Sequence, residues 1–110
     1  MEYESRTEGA FTVIALSGEV DLYYSPQARK QILRELKRKH NVLVDLAKVD
    51  YIDSSGVATL VEGFQLAREN DLDFGLVGVS EAALRVLQLA RLDQVFPIFG
   101  SVQERLRSGD

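Results

Sequence analysis

Val42-Leu43-Val44-Asp45-Leu46 runs on through Ala47-Lys48-Val49-Asp50-Tyr51-Ile52 into Asp53-Ser54-Ser55-Gly56 and then Val57, Leu60, Val61, Phe64 and Ala67, and this stretch decides the fold. Its first five residues are mostly apolar and short, the mark of a strand covered on both faces. The apolar residues after Gly56 recur at helical spacing and form one stripe. A buried strand therefore passes through a short connection into an amphipathic helix. That connection places two hydroxyls where a helix begins, where the first backbone N–H groups lack intrahelical partners and about half a positive charge gathers. Such a tip tolerates an anion, phosphate included, so a serine there can serve as a switch.

Toward the N-terminus, Phe11-Thr12-Val13-Ile14-Ala15-Leu16 is a β-type run ending at Ser17-Gly18, and the weaker stretch containing Tyr3, before Gly9, pairs with it as a hairpin. Ser25-Pro26 reads as an N-cap followed by proline at the first helical position, with Ala28, Ile32 and Leu36 continuing the helix to about Lys39. Toward the C-terminus, Phe74 to Val79 predicts a strand, and Ser80 caps a helix along which Leu84, Leu87 and Arg91 are spaced. Val95 to Phe99 is a last short strand. Ser101-Val102-Gln103-Glu104 fits a capping box and predicts a short closing helix, with Arg107 to Asp110 fraying. Strands alternating with helices after a hairpin imply an α/β domain, and right-handed crossovers restrict it further. The expectation is a single domain over 1–110, a mixed, mostly parallel sheet of about 4–5 strands with about four helices, free of internal repeats and linkers.

Composition narrows the function classes. With 110 residues, 45% hydrophobic and 27% charged, the chain is an ordinary globular one. Thirteen basic against 17 acidic residues give 13 − 17 = −4, which argues against nucleic acid or an anionic membrane as the main partner. Arg29, Lys30, Arg34, Lys37, Arg38 and Lys39 interleave with Ile32, Leu33 and Leu36 as the solvated face of a helix does. Cysteine is absent, which excludes disulfides, thiolate catalysis and cysteine metal sites. The start lacks an apolar export segment, and no stretch approaches the roughly 18 apolar residues of a membrane helix, so a cytoplasmic, soluble protein without membrane insertion is expected.

Catalysis finds no machinery. A serine nucleophile needs a base, yet the one histidine, His40, stands beside Lys39 at a basic helix end, and no Gly-x-Ser-x-Gly elbow is present. Gly75 and Gly78 lack the Gly-Lys-Ser/Thr continuation of a phosphate loop. A phosphoaspartate receiver would use Asp45 near a strand end, but the clustered acidic pair and five-fold βα layout are missing. The expectation is a binding protein with no catalytic residue, metal or cofactor.

Gly18-Glu19-Val20-Asp21, the stretch Val49 to Val57 and the tail Leu84 to Phe96 stand in the order seen in the STAS family, which the chain resembles from about Gly9 to Arg107. The best-known members are bacterial anti-sigma-factor antagonists. The resemblance implies that Ser54 is a phosphoacceptor and that the partner is an anti-sigma factor with serine kinase activity, with a phosphatase resetting the serine. It further implies a partner-facing surface of Asp21, Asp53, Ser54, Ser55 and Gly56, with Val20 standing where the family motif has leucine. Read from the residues alone, Ser54 or Ser55 caps the helix, Asp53 satisfies a turn, and Gly56 lets helix and strand pack closely. Phosphorylation would add about −1.5 to −2 charge at the tip, repelling an acidic partner while gaining from the helix N-terminal donors. The other reading within the family is the small STAS subunit of a Mla-type lipid-transport ABC complex, docking on its ATPase subunit. Leu89, Leu92, Val95 and Phe96 would then supply apolar docking area, though leucines at this spacing equally fill a core.

Overall fold

Burying the apolar stripe of each helix requires a sheet to lie against, and the chain supplies one in strict sequence order. The computed structural model describes residues 2–108. Its strands are β1 (Glu4–Glu8), β2 (Phe11–Val20), β3 (Asn41–Ile52), β4 (Phe74–Val77) and β5 (Ile98–Phe99). The helices are α1 (Ser25–Lys37), α2 (Ser54–Glu69), α3 (Glu81–Leu89) and α4 (Val102–Arg107). Among the described residues the sheet order is β1-β2-β3-β4-β5, antiparallel only between β1 and β2. This is the expected mixed, mostly parallel sheet with four helices.

Alternation along the strands sorts the core into two layers. Ile14, Leu16, Val42, Val44, Leu46, Phe74 and Leu76 face Ile32, Leu36, Leu60, Ala67, Ala83 and Leu87 from α1, α2 and α3. Phe11, Val13, Leu43 and Val77 face the other way and meet Val102 of α4. The Arg105 guanidinium lies 4.8 Å over the Phe11 ring and pairs with Asp73 at 3.4 Å, holding α4 to that face. No helix among the described residues is long and apolar enough to cross a membrane.

Several boundaries differ from the sequence expectation. β2 does not stop at Ser17-Gly18: Gly18 takes φ +71°, the register against β3 shifts on either side of it, and the strand continues to Val20. Likewise Val42–Leu46 and the segment after it are one 12-residue strand, which puts Asp45 in mid-strand, its Oδ1 accepting the Ala47 N–H, and not at a strand end. Ser25 is not the cap of α1. It lies buried inside the first turn, and Tyr24 occupies the cap without a side-chain bond. Asp21 does the capping work instead, its carbonyl accepting the Tyr24 and Ser25 N–H groups.

α1 closes at Lys37, just before Lys39 at φ +67°, and α3 at Leu89, just before Arg91 at φ +60°. β4 stops at Val77, where Gly78 turns the chain at φ +58°. Val95 and Phe96 are not strand, since both N–H groups bond to the Leu92 carbonyl in a turn, leaving Ile98–Phe99 as β5. Ser80 caps α3 and Ser101 caps α4 as expected, accepting the Ala83 and Glu104 N–H groups. Of the chain end expected to fray, Gly109 and Asp110 lie outside the described residues.

Candidate functional site

Parallel strands deliver their C-terminal ends to one edge of a sheet, and here Val20 pairs with Ile52 at that edge. The connection from β2 into α1 and the start of α2 therefore emerge side by side. Asp53 bridges them, its N–H donating to the Val20 carbonyl at 3.3 Å.

The extended backbone of Asp53 (φ −110°, ψ −170°) makes it the N-cap of α2. Its Oδ1 accepts the Ser55 N–H at 2.9 Å, the Ser55 hydroxyl at 2.6 Å and the Gly56 N–H at 3.3 Å. The Ser55 hydroxyl is the foremost reason the Asp53 carboxyl is held below the usual aspartate range; N–H groups of Gly56, Ser55 and Leu22 add to it, and partial burial opposes it. Neither serine caps this helix, contrary to the residue-level reading. Two donors that a phosphate would use are occupied by Asp53, so the expected gain from the helix start is largely spent on the cap.

Ser54 is left exposed, and no hydrogen bond engages its hydroxyl among the described residues. Gly56 sits where a side chain cannot. A Cβ there would lie 2.6 Å from Ile52 Cγ1 and 2.6 Å from the Val20 carbonyl oxygen. The helix start is thus pressed against the ends of both strands, which fixes where Ser54 stands.

Asp21, in the neighbouring connection, is half-buried, and its Oδ1 accepts the Tyr23 and Tyr24 N–H groups at 3.0 and 3.1 Å. Asp21, Asp53, Ser54, Ser55 and Gly56 therefore share one end of the sheet. Of these, only Ser54 has a side chain both exposed and uncommitted.

The sequence reading missed Leu22, Tyr23 and Tyr24, which that turn pushes outward at 77%, 81% and 47% exposure beside the serine tip. The two tyrosine rings meet edge to face at 4.8 Å. Three bulky residues in a strand-to-helix connection, off any periodic stripe, were the available signal. By contrast, the Leu89 to Phe96 set divides. Leu89 and Val95 are exposed, whereas Leu92 is partly buried and Phe96 is core, packed on Phe64 and Phe74. His40 pairs with Glu35 at 2.8 Å just before β3 begins, a whole strand length from Ser54.

The STAS domain model matches residues 2–105. The chain is 28% identical over 100 residues to an anti-sigma-B factor antagonist of Staphylococcus epidermidis, covering 89% of this chain and 92% of that one. It is similar to the solved structure of an anti-sigma-factor antagonist (STAS) domain protein from Planctomyces limnophilus, with TM-score 0.87, 26% identity, and coverage of 98% and 97% of the two chains. The fold is shared with the Bacillus cell fate determinant SpoIIAA in its phosphorylated form, at TM-score 0.75 and 18% identity over 96% and 97% of the chains.

Proposed function

Because the chain belongs to the STAS domain family, we propose that it is an anti-sigma-factor antagonist working in the cytoplasm, a binding protein that is the substrate of its partner's kinase activity and not itself an enzyme. Unmodified, it captures an anti-sigma factor and so frees sigma; phosphorylated on Ser54, it lets go, and a phosphatase restores it. The observation that carries this reading is the Ser54 hydroxyl, exposed at the helix tip and relieved of capping by Asp53. The names of the relatives favour the antagonist over the transporter subunit.

Docking would use Leu22, Tyr23 and Tyr24 as apolar anchors around Ser54, with Asp21 holding their backbone. With the Ser55 and Gly56 donors committed to Asp53, a phosphate on Ser54 would stand beside a carboxylate and keep most of its charge unneutralised. Repulsion of the partner then needs no rearrangement of the fold. Calorimetric titration with the anti-sigma factor, alongside phosphate incorporation, tests this. Ser54→Ala should keep binding and take up no phosphate, while Ser54→Asp should bind at least ~10-fold more weakly, the size of a buried like-charge contact. Equal affinity of both variants and the parent sinks the switch.

A further inference from the structure

The pairing of β1 with β2 ends early. Glu4 opposes Ala15, and among the described residues nothing pairs with β2 beyond that point on the β1 side. The cause lies in α1. The side chain of Gln31, only 1% exposed, accepts the Tyr3 N–H at 2.7 Å and donates to the Tyr3 carbonyl at 2.9 Å, while Arg34 holds Glu2 at 3.1 Å. These bonds take the chain before Glu4 off the sheet and onto the helix. Leu16 to Glu19 therefore has β3 on one side and a groove of about 760 Å³ on the other, walled by Tyr3, Tyr23 and Tyr24.

We propose that this groove receives a short extended segment of another protein, basic in character, which adds to the free edge of β2 in line with β1. Strand addition supplies affinity from backbone hydrogen bonds and specificity from the side chains that rim the edge. Leu16 to Glu19, four residues at about 3.4 Å each, give an edge of roughly 14 Å, room for three or four residues. The rim selects charge. Glu4 and Glu19 are exposed carboxylates facing the groove, joined by Glu2, which Arg34 already engages, against a single cation, Lys48. The register shifts and the φ of +71° at Gly18 bend the edge, so a long flat strand does not fit and indiscriminate pairing is discouraged. Tyrosine faces suit arginine or lysine side chains that reach past the carboxylates. The groove shares Tyr23 and Tyr24 with the docking surface proposed around Ser54, but its open edge and its carboxylates Glu4 and Glu19 belong to β1 and β2.

The full chain, isotopically labelled, is titrated with a capped hexapeptide alternating Arg and Val and followed by amide chemical shifts. Two controls accompany it, a Glu-Val counterpart and an Arg-Val peptide N-methylated at alternate residues. Shifts should move at Glu4 and from Ser17 to Val20, with the Glu-Val and N-methylated peptides failing to bind. Glu4→Lys with Glu19→Lys, both exposed positions, should weaken the Arg-Val peptide about tenfold and admit the Glu-Val peptide. Equal binding of the N-methylated peptide to the parent protein overturns strand addition without relying on any variant. Absence of shifts at millimolar peptide overturns the site, as do shifts confined to Asp21 and Ser54. Concentration-dependent shifts at Ser17 to Val20 without peptide would assign the groove to a second copy and overturn the proposal too.

Discussion

Gly56 has room for a hydrogen and nothing larger. Gly56→Ala gains about 1 kcal/mol of helix propensity but sets a methyl 2.6 Å from a backbone carbonyl that cannot turn aside. The net loss should be about 2 kcal/mol, a fall in Tm on the order of 10 °C by calorimetry. Asp53 carries an acid dependence of known sign. Its carboxyl titrates below the usual aspartate value when folded, so its contribution is complete above about pH 4, the unfolded value, and fades as pH falls through the folded one. Urea unfolding should therefore find Asp53→Asn less stable than the parent at pH 6, with the gap narrowing at pH 3. The tetrapeptide was legible in sequence as a helix start, but not its division of labour. Aspartate and serine cap about equally well, and only the extended backbone of Asp53 shows which side chain reaches the Ser55 and Gly56 N–H groups.

At the scale of elements, the helices with isolated serine caps were readable, because Ser80 and Ser101 each precede a periodic run with no competing acceptor. The long strands were not. β3 loses its continuous apolar run at the exposed Ala47 and Lys48, yet Val49 and Ile52 return to the core and the strand keeps its pairing with β2 through the register shifts. The tether of Tyr3 by Gln31 spans 28 positions in sequence and leaves no periodic trace. Removing it with Gln31→Ala should speed hydrogen exchange at the Tyr3 amide while leaving the centre of β3 protected, and should cost about 1–2 kcal/mol for the stranded backbone groups. Phe96 tests the other ambiguity. As a member of the aromatic cluster with Phe64 and Phe74, its change to alanine should cost about 3–5 kcal/mol in urea unfolding, more than a docking residue would.

For the molecule as a whole, α1 to α3 share one face and α4 closes the other; the edge bearing Ser54 rests on the core residues Val20, Ile52 and Val57, while the Ser54 side chain points away from them into solvent. A charge added there has no buried contact to break. Amide shifts of the phosphorylated protein should change around Ser54 and the Leu22–Tyr24 turn and stay in place along β4 and β5, with Tm nearly constant. A broad loss of dispersion would contradict a switch confined to the surface.

That Asp53 holds the helix while Ser54 holds nothing makes position 54 silent to folding. A lineage could lose the serine, regain it or fix a charge there without passing through an unstable intermediate. Under the proposed switch, the signalling state of such a domain is then free to drift, lock or be redesigned one codon at a time, on a scaffold that holds no bond to that side chain.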